Sequence, residues 1–351
     1  MFNLKGLSAR QLFAKNIGID LGTSSVIVYV EGTGIVLEEP SVVAVDTNTD
    51  HIVKIGKEAQ AMLGRNPEHI KVIRPLKEGV ISNYDITQKM IQHYIRKACG
   101  NALLPPKVVI CIPSNVSEVQ MRAVIDASTQ AGARKTYIIE EPIAAAIGAD
   151  VDISSPTGSM IVDIGGGTTD VAVVSLGGVV VSESNKVAGD KFDEAIVMYV
   201  RRKYNMNIGT RTAEQIKIKI GTVYEPDGRK TMKVKGNCLV QQLPKEITLS
   251  SNEMLEAMME PICSVIDSIC SVIERTPPEL VGDILKRGIV MTGGGSQLVG
   301  LDRLIEDATG IKTRVAKNPT MCVANGTGKL LKDLDKITVG DRIDLSRRKR
   351  T

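Results

Sequence analysis

The sequence IGIDLGTSSV, at residues 17–26, has the same pattern as IVDIGGGTTDV, at residues 161–171. Each stretch runs from an apolar strand through an aspartate, a glycine turn and hydroxyl residues into a second apolar strand. The wide separation of the two copies predicts two domains, each of which offers one phosphate-binding loop. A nucleotide is therefore expected to be held between two halves of the molecule.

The residue types in both copies suit a phosphate chain. Glycine lacks a Cβ and permits positive φ, so these turns are expected to bend tightly and to present backbone amides, while the hydroxyls add donors. The residues predicted to contact phosphate are Gly22, Thr23, Ser24, Gly165, Gly166, Gly167, Thr168 and Thr169. Asp20 and Asp163 precede the turns, and carboxylates that face phosphates require a cation between them, which predicts Mg²⁺.

The element that follows each turn distinguishes between the known classes of glycine-rich nucleotide-binding loop. The segments at residues 26–30 and 171–174 are rich in β-branched residues, so each copy is predicted to be a β-hairpin. Walker and Rossmann glycine loops open a helix instead, which excludes both. Two ordinary glycine hairpins remain the alternative. A third cluster, MTGGGS at residues 291–296, ends another apolar strand. Alone it could be any strand-to-helix turn, but as a third element it suits a backbone surface for a base or ribose.

Composition limits the class of protein. A chain of 351 residues with 43% apolar residues suits two domains with their own cores. No apolar run reaches the roughly 20 residues of a membrane span, and the start lacks the features of a signal peptide. The six cysteines lack CxxC spacing and are predicted to be buried apolar residues in a reducing cytoplasm. The net charge of +4 and the 3% aromatic content argue against nucleic acid as a partner.

The hydrophobic pattern predicts alternating strands and helices, which gives an α/β class with two mixed sheets. A helix is expected over residues 87–98, with Asp85 or Thr87 as its N-cap. Residues 230–243 are expected to form exposed strands. The polar stretch at residues 150–159 is predicted to be a linker that divides the chain near its middle.

Seven phrases of this sequence resemble, in order and spacing, the actin, hexokinase and heat-shock chaperone ATPase superfamily. They are closer still to MreB, the bacterial actin, and its Mbl-type paralogues. The phrases are IGIDLGTSS, EEPSVVAVD, RPLKEGVI, IEEPIAAAIGAD, DIGGGTTDVAVVSLGG, RTAEQIKIKIG and RGIVMTGGG. The resemblance covers roughly residues 16–336 and implies an actin-like (ribonuclease H-like) duplicated fold, with two domains of two subdomains each around a nucleotide cleft.

The resemblance also implies where the subdomains begin and end. Subdomain IA would contain residues 1–38, 73–151 and 324–351, and subdomain IB would contain residues 39–72. Subdomain IIA would contain residues 152–189 and 251–323, and subdomain IIB residues 190–250.

Several nucleotide-binding roles follow only from the resemblance. Asp20 and Asp163 match the magnesium-associated aspartates, and the loops around Gly22 and Gly165 match the two phosphate loops of the family. The residues that match the adenosine side are Glu214, Lys217, Gly293, Gly294 and Gly295. The family often has Thr-Ala-Asn where this chain has TSS at residues 23–25, a change that keeps a polar group but puts fine phosphate contacts in doubt.

Glu141 is the predicted hydrolytic residue, because the family glutamate before this proline faces the attacking water. At the start of a helix its carboxylate could orient a water that Thr168 also holds. The alternative is that Glu140 and Glu141 are only first-turn acids favoured by the helix dipole.

Two segments are candidates for membrane contact. Residues 2–15 place Phe2 and Phe13 on one face of a helical wheel, and a disordered leader is the alternative. Leu103 and Leu104 lie in a turn-rich loop, where the alternative is that they fold back into the core. The resemblance implies head-to-tail filaments, paired antiparallel, at an anionic membrane surface on the cytoplasmic side of the cell membrane, with cell-wall elongation proteins as partners in walled hosts.

The leading hypothesis is therefore a slow ATPase, using ATP and Mg²⁺ and releasing ADP, that forms membrane-associated filaments controlling cell shape. A small-molecule kinase of the same superfamily is the main alternative, although the sequence offers no second substrate pocket. A chaperone ATPase is the other alternative, and it would normally carry a substrate-binding domain after residue 351.

Overall fold

The computed structural model describes residues 15–100, 104–225, 228, 230–334, 338–339 and 342–343. The chain forms two compact units. The first contains residues 1–157, 174–179 and 321–351, and the second contains residues 158–173 and 180–320. The boundary after residue 157 lies inside the stretch at 150–159 that the sequence predicts to be a linker. The division into four subdomains stays a prediction.

The first unit combines a large sheet with two smaller ones. Its strands, as the chain first passes through it, are β1 (Ile17–Leu21), β2 (Ser25–Val30), β3 (Gly34–Pro40), β4 (Val43–Asp46), β5 (His51–Ile55), β6 (Ile70–Ile73), β7 (Leu76–Lys77), β8 (Val80–Ile81), β9 (Lys107–Ile112) and β10 (Lys135–Glu140). Its helices on this pass are α1 (Lys57–Met62), α2 (Tyr84–Cys99), α3 (Glu118–Gln130) and α4 (Glu141–Gly148).

The second unit follows, and the chain then returns to the first. The strands of this part are β11 (Ser159–Ile164), β12 (Thr169–Ser175), β13 (Gly178–Asn185), β14 (Met206–Asn207), β15 (Thr231–Cys238), β16 (Pro244–Ser250), β17 (Ile289–Thr292) and β18 (Thr313–Val315). The helices are α5 (Gly189–Tyr204), α6 (Thr210–Ile220), α7 (Ser251–Arg275), α8 (Pro278–Arg287) and α9 (Leu301–Thr309). The returning segment contains α10 (Cys322–Leu330), β19 (Thr338–Val339) and β20 (Arg342–Ile343).

The main sheets of the two units share one strand order. It is β3-β2-β1-β9-β10 in the first unit, where β20 and β19 extend it, and β13-β12-β11-β17-β18 in the second. β1 pairs antiparallel with β2, which confirms the hairpin predicted for the first copy of the motif. In both units the first strand of the motif pairs parallel with a later strand, β9 or β17. The repeated sequence pattern thus corresponds to a repeated sheet.

The parallel strands lie at the centre of each core. β9 is buried from Val108 to Ile112 and β11 along its whole length, which explains their unbroken apolar sequences. In the first unit Tyr94 packs in this core, and in the second unit Phe192 does so; both side chains are at most 1% exposed. Each sheet therefore has its central parallel strand and a large aromatic side chain in one apolar core.

Two local predictions are wrong. The helix α2 begins at Tyr84, and its N-cap is Asn83, whose side chain accepts a hydrogen bond from the Ile86 amide. Asp85 and Thr87 already lie inside the helix, because the extended backbone that an N-cap requires occurs at Asn83. The strands expected over residues 230–243 end at Cys238, and the next strand starts only at Pro244, since residues 239–243 form the turn between them.

The cysteine prediction holds in part. Cys111, Cys238 and Cys322 are buried, as expected for small apolar residues. Cys263 is exposed, and Cys99 and Cys270 are partly exposed, so the prediction is wrong for Cys263. Cys263 lies on α7, a helix with one buried face and one exposed face, and its position is on the exposed face.

Glu253 ties the long helix α7 to α5. It accepts hydrogen bonds from the amide and hydroxyl of Ser250, both at 2.9 Å. The bond from the amide is one half of a capping box, and the Ser250 side chain, which accepts from the Glu253 amide, provides the other half. It also accepts a bond of 2.5 Å from the Tyr204 hydroxyl and lies 3.0 Å from the Lys203 ammonium. Burial alone would raise the pKa of Glu253, but the hydrogen bonds from Tyr204, Lys203 and Ser250 outweigh it and lower this pKa to about 2.

Candidate functional site

The first glycine loop joins β1 to β2 by a tight turn. The Gly22 amide donates to the Ser25 carbonyl at 3.0 Å. A Cβ built on Gly22 would lie 2.8 Å from that same oxygen, so this position excludes a side chain. Neither Gly22 nor Gly165 uses the positive φ that glycine permits. Glycine is required at Gly22 by close approach of the backbone and not by its φ angle.

The same loop is bonded to both ends of the segment that carries the small sheet β5-β4-β6. The Ser41 amide donates to the Ser24 carbonyl at 2.9 Å. The Gly79 amide donates to the Thr23 hydroxyl oxygen at 3.1 Å, and Thr23 is only 7% exposed. Because a threonine hydroxyl can donate while it accepts, this bond still permits Thr23 to donate to a phosphate oxygen.

Asp20 and Glu141 belong to one edge of the first sheet. Ile19 is in register with Ile110, and Ile110 is in register with Ile138, so β1, β9 and β10 run together toward their carboxyl ends. β9 separates the other two, which puts β1 and β10 about 10 Å apart. Glu141 follows β10 directly as the first residue of α4 and is 9% exposed. Ligands of α/β sheets bind at such an edge.

The second glycine loop joins β11 to β12 in the second unit. The Gly165 amide donates to the Thr168 carbonyl at 2.9 Å, the counterpart of the bond in the first loop. Thr168 is 8% exposed. The Thr169 hydroxyl donates to the Val187 carbonyl at 2.7 Å and is therefore engaged inside the unit.

Asp163 and Thr292 are opposite each other on the parallel strands β11 and β17. The Thr292 hydroxyl donates to Asp163 Oδ1 at 2.5 Å, and both residues are buried. Burial raises the pKa of Asp163 to about 7; the nearby Asp170 also raises it, whereas the Thr292 hydrogen bond lowers it. The Asp163 carboxylate is thus costly to ionise unless a positive charge approaches it.

The third glycine cluster lies against the second loop. Gly293 has a φ of 79°, which L-residues other than glycine rarely adopt. A Cβ on Gly293 would overlap the Ile164 carbonyl oxygen, and a Cβ on Gly295 would overlap the Ile164 side chain. Both clusters start at neighbouring carboxyl ends of β11 and β17, so they form one backbone-lined edge in the second unit.

The first turn of α5 also contacts the second loop, a contact that the sequence does not indicate. The Gly189 amide donates to the Gly165 carbonyl at 3.2 Å, and the Asp190 amide donates to the Gly166 carbonyl at 2.8 Å. Ala188, the N-cap residue, makes no side-chain cap bond. The loop carbonyls therefore take the place of a side-chain cap for this helix.

Glu214 and Lys217, predicted to reach adenosine, lie three residues apart on α6 and so share one of its faces. The Lys217 ammonium lies 2.9 Å from Asp193 Oδ1 on α5 and donates to the Gly189 carbonyl at 2.9 Å. Asp193 was not predicted as a site residue. The FDE sequence around it matches no known motif, because the contact of Asp193 with Lys217 depends on the packing of α5 against α6.

The membrane candidates are only partly described. Phe2 and Leu103 lie outside the described residues. Leu104 is 37% exposed, which is against a fully buried position for this side chain. In the described part of the chain, none of the helices combines the length and apolar character needed to cross a membrane.

Known proteins similar to this chain match it along most of its length. A family model described as MreB/Mbl protein matches residues 14–339. The chain is 47% identical over 328 residues to the cell shape-determining protein Mbl of Bacillus subtilis (strain 168), covering 93% of this chain and 98% of that protein. It is 47% identical over 332 residues to the cell shape-determining protein MreB of Escherichia coli (strain K12), covering 93% and 96%.

Solved structures agree with these matches. The crystal structure of MreB 5 of Spiroplasma citri bound to AMPPNP has a TM-score of 0.88 and 36% identity, covering 92% of this chain and 97% of that one. The MamK double helical filament has a TM-score of 0.77 over 90% and 98% of the chains at 22% identity, which bears on the fold alone. The predicted actin-like fold is therefore confirmed.

Proposed function

Because the chain belongs to the MreB/Mbl family, we propose that it is an ATP-binding, slowly ATP-hydrolysing bacterial actin that polymerises into membrane-associated filaments controlling cell shape. ATP favours the polymer, and its hydrolysis to ADP and phosphate destabilises the polymer. The filaments act at the inner face of the cell membrane in the cytoplasm, and in walled hosts they organise the cell-wall elongation proteins.

The observation that carries the nucleotide proposal is the backbone-lined edge of the second unit. There the Gly165 loop, the Gly293 loop and the first turn of α5 meet beside the buried Asp163. Backbone amides without intervening side chains are suited to phosphate and ribose oxygens. Support also comes from the structural relative from Spiroplasma citri, which was solved with AMPPNP and with ADP.

Magnesium is part of the proposal. Mg²⁺ prefers oxygen ligands, keeps several waters, and binds through one or two carboxylates together with phosphates. Within the described residues no cluster of three or more His, Cys, Asp or Glu side chains could hold a metal by itself. As the family resemblance implies, Asp20 and Asp163 are proposed to hold the ion through water, and Mg²⁺ would neutralise phosphate charge there.

Glu141 is proposed to orient the attacking water together with Thr168. Its nearly buried carboxylate at the start of α4 supports this role. Glu141→Ala is expected to abolish phosphate release while ATP binding and assembly persist, because water activation is separate from phosphate binding. Glu140→Ala is the matched control and should release phosphate at the normal rate. Wild-type phosphate release from the Glu141 variant would refute the role.

Assembly separates a filament protein from a kinase. Purified protein with Mg-ATP is expected to scatter light and to pellet above a critical concentration, as head-to-tail contacts that propagate without closing require. Concentration-independent monomers that transfer phosphate to a sugar would instead support the kinase. If the protein pellets, electron microscopy of the pellet would show whether the strands pair antiparallel.

Membrane contact is tested separately with liposomes. The Leu103→Ser, Leu104→Ser double variant is expected to co-sediment less with vesicles that contain anionic lipid, because each leucine would bury apolar surface in the bilayer. Phe2→Ser tests the N-terminal segment in the same assay. Leu285→Ser is the control, since Leu285 is 56% exposed and carries no predicted role. Unchanged vesicle binding by the double variant would show that the two leucines do not contact the membrane.

A further inference from the structure

Lys217 and Asp193 form an ion pair inside the second unit. The side chains are only 17% and 11% exposed, and Lys217 Nζ lies 2.9 Å from Asp193 Oδ1. Removing one partner of such a pair leaves the other charge without compensation, which costs much more than the loss of an exposed pair. A pair of this kind can therefore fix the position of an ammonium group that would otherwise swing on a flexible stem.

The ammonium is fixed next to the second phosphate loop. Lys217 Nζ donates to the carbonyl of Gly189, the first residue of α5, whose amide in turn donates to Gly165. A Cβ built on Gly189 would lie 3.2 Å from the Gly165 carbonyl oxygen, 3.5 Å from Lys217 Nζ and 3.6 Å from the Gly166 Cα. The loop and the ammonium thus both border the space that a side chain on Gly189 would occupy.

The chain of contacts has a direction. The amides of Gly189 and Asp190 donate to the Gly165 and Gly166 carbonyls, so the position of these two loop residues depends on the first turn of α5. These bonds require the first turn of α5 to stay in place. Lys217 holds that turn by its carbonyl, and Asp193, one turn further along α5, holds Lys217.

We propose that Asp193 is a positioning residue for nucleotide binding, which acts through Lys217 and Gly189 on the conformation of the loop Gly165–Gly167. The inference rests on the proposed ATP binding and adds a residue to it. It also gives Lys217 a second role besides the predicted contact with adenosine. A purely structural ion pair would contribute to the stability of the second unit and leave the affinity of the folded protein for ATP unchanged.

The test measures the Kd for Mg-ATP of full-length variants, by competition with a fluorescent ATP analogue, together with the Tm without nucleotide. Asp193→Asn is expected to raise the Kd at least about tenfold, because the ammonium loses its anchor. Lys217→Met should raise it as well, and the double variant should bind no more weakly than the weaker single variant, since both act through one contact.

Glu194→Gln is the matched control. Glu194 lies next to Asp193 on α5 but pairs with Lys191 at the surface, where the two side chains are 57% and 44% exposed. Its Kd should equal that of the wild type. A folded Asp193→Asn variant with wild-type Kd, or a double variant whose losses multiply, would overturn the proposal.

Gly189→Ala tests the same junction without leaving a buried charge, in case Asp193→Asn does not fold. The added methyl would lie tightly against the Gly165 carbonyl oxygen, at 3.2 Å, and in ordinary contact with the ammonium, at 3.5 Å, so a shifted loop and weaker ATP binding are expected. Wild-type affinity in this variant would overturn the proposal. Wild-type protein that fails to bind Mg-ATP would refute the proposed function itself, whereas normal wild-type binding with unaffected variants would refute only the role of Asp193.

Discussion

Asp163 accepts a hydrogen bond from Thr292, so a substitution of Thr292 should change the ionisation of the Asp163 carboxyl while Asp163 itself is kept. Thr292→Val removes the hydroxyl and keeps the shape of a side chain that is fully buried. A hydrogen bond to a charged group contributes about 1.5–3 kcal/mol, and the 2.5 Å distance places this one among the strong bonds. At about 1.4 kcal/mol per pKa unit, its loss should raise the pKa of Asp163 by about one to two.

If Asp163 helps to hold Mg²⁺ as proposed, this change should reduce the affinity of the site for magnesium at neutral pH. Burial holds the pKa of Asp163 at about 7, so about half of the wild-type molecules carry the charge at pH 7. In Thr292→Val the charged fraction would fall to about one molecule in ten or fewer. The Mg²⁺ concentration that gives half-maximal ATP binding should therefore rise severalfold at pH 7 and return toward the wild-type value at pH 9.

The measurement is a Mg²⁺ titration of ATP binding at both pH values. Thr292→Ser keeps the hydroxyl and should behave as the wild type, which separates loss of the hydrogen bond from loss of the methyl group. Identical titrations of Thr292→Val and wild type at pH 7 would refute the reasoning. An equal loss at pH 7 and pH 9 would also refute it, because the deficit would then not come from protonation of Asp163.

Two further predictions concern the second unit. Gly293→Ala should abolish ATP binding or folding, because the Cβ would overlap Ile164 and φ is positive. The control is Gly32→Ala in the first unit, where φ is 70° and the space is open. It should lower the free energy of unfolding in urea by only about 1 kcal/mol. Glu253→Gln should lower the free energy of unfolding by about 2 kcal/mol at pH 7. Because the pKa of Glu253 is lowered to about 2, this stabilisation is present above its ordinary value of 4.5 and is lost as the pH falls toward 2. The unfolding midpoints of the variant and wild type should therefore converge in acid; a constant gap would count against it.

Contacts between neighbours in sequence could be predicted, and contacts between distant residues could not. The glycine turn at Gly22 follows from a strand, a glycine and a second strand within ten residues. The bond between Asp163 and Thr292 joins residues 129 positions apart, and it exists because β11 and β17 pair in parallel in one register. Hydrophobic patterns indicate that both segments are strands but give neither their partner nor their register.

The local errors have a different cause. Asn83, Asp85 and Thr87 are all good N-cap residue types, and only the extended backbone at Asn83 decides between them. For Gly22, the sequence indicates that glycine is needed without indicating why, and the structure shows that the reason is the Ser25 carbonyl. Residue types in the sequence indicate candidate N-cap and glycine positions, and the backbone geometry shows which position is used and why.

The two units repeat one sheet but hold their phosphate loops by different elements. In the first unit the loop is bonded through Thr23 and Ser24 to both ends of the segment between Ser41 and Gly79. In the second unit the first turn of α5 takes this place. A change in the first loop must therefore act on the small sheet β5-β4-β6, and a change in the second loop must act on α5 and α6. Although the motif is duplicated, the same phosphate contact would thus act on different elements in each unit.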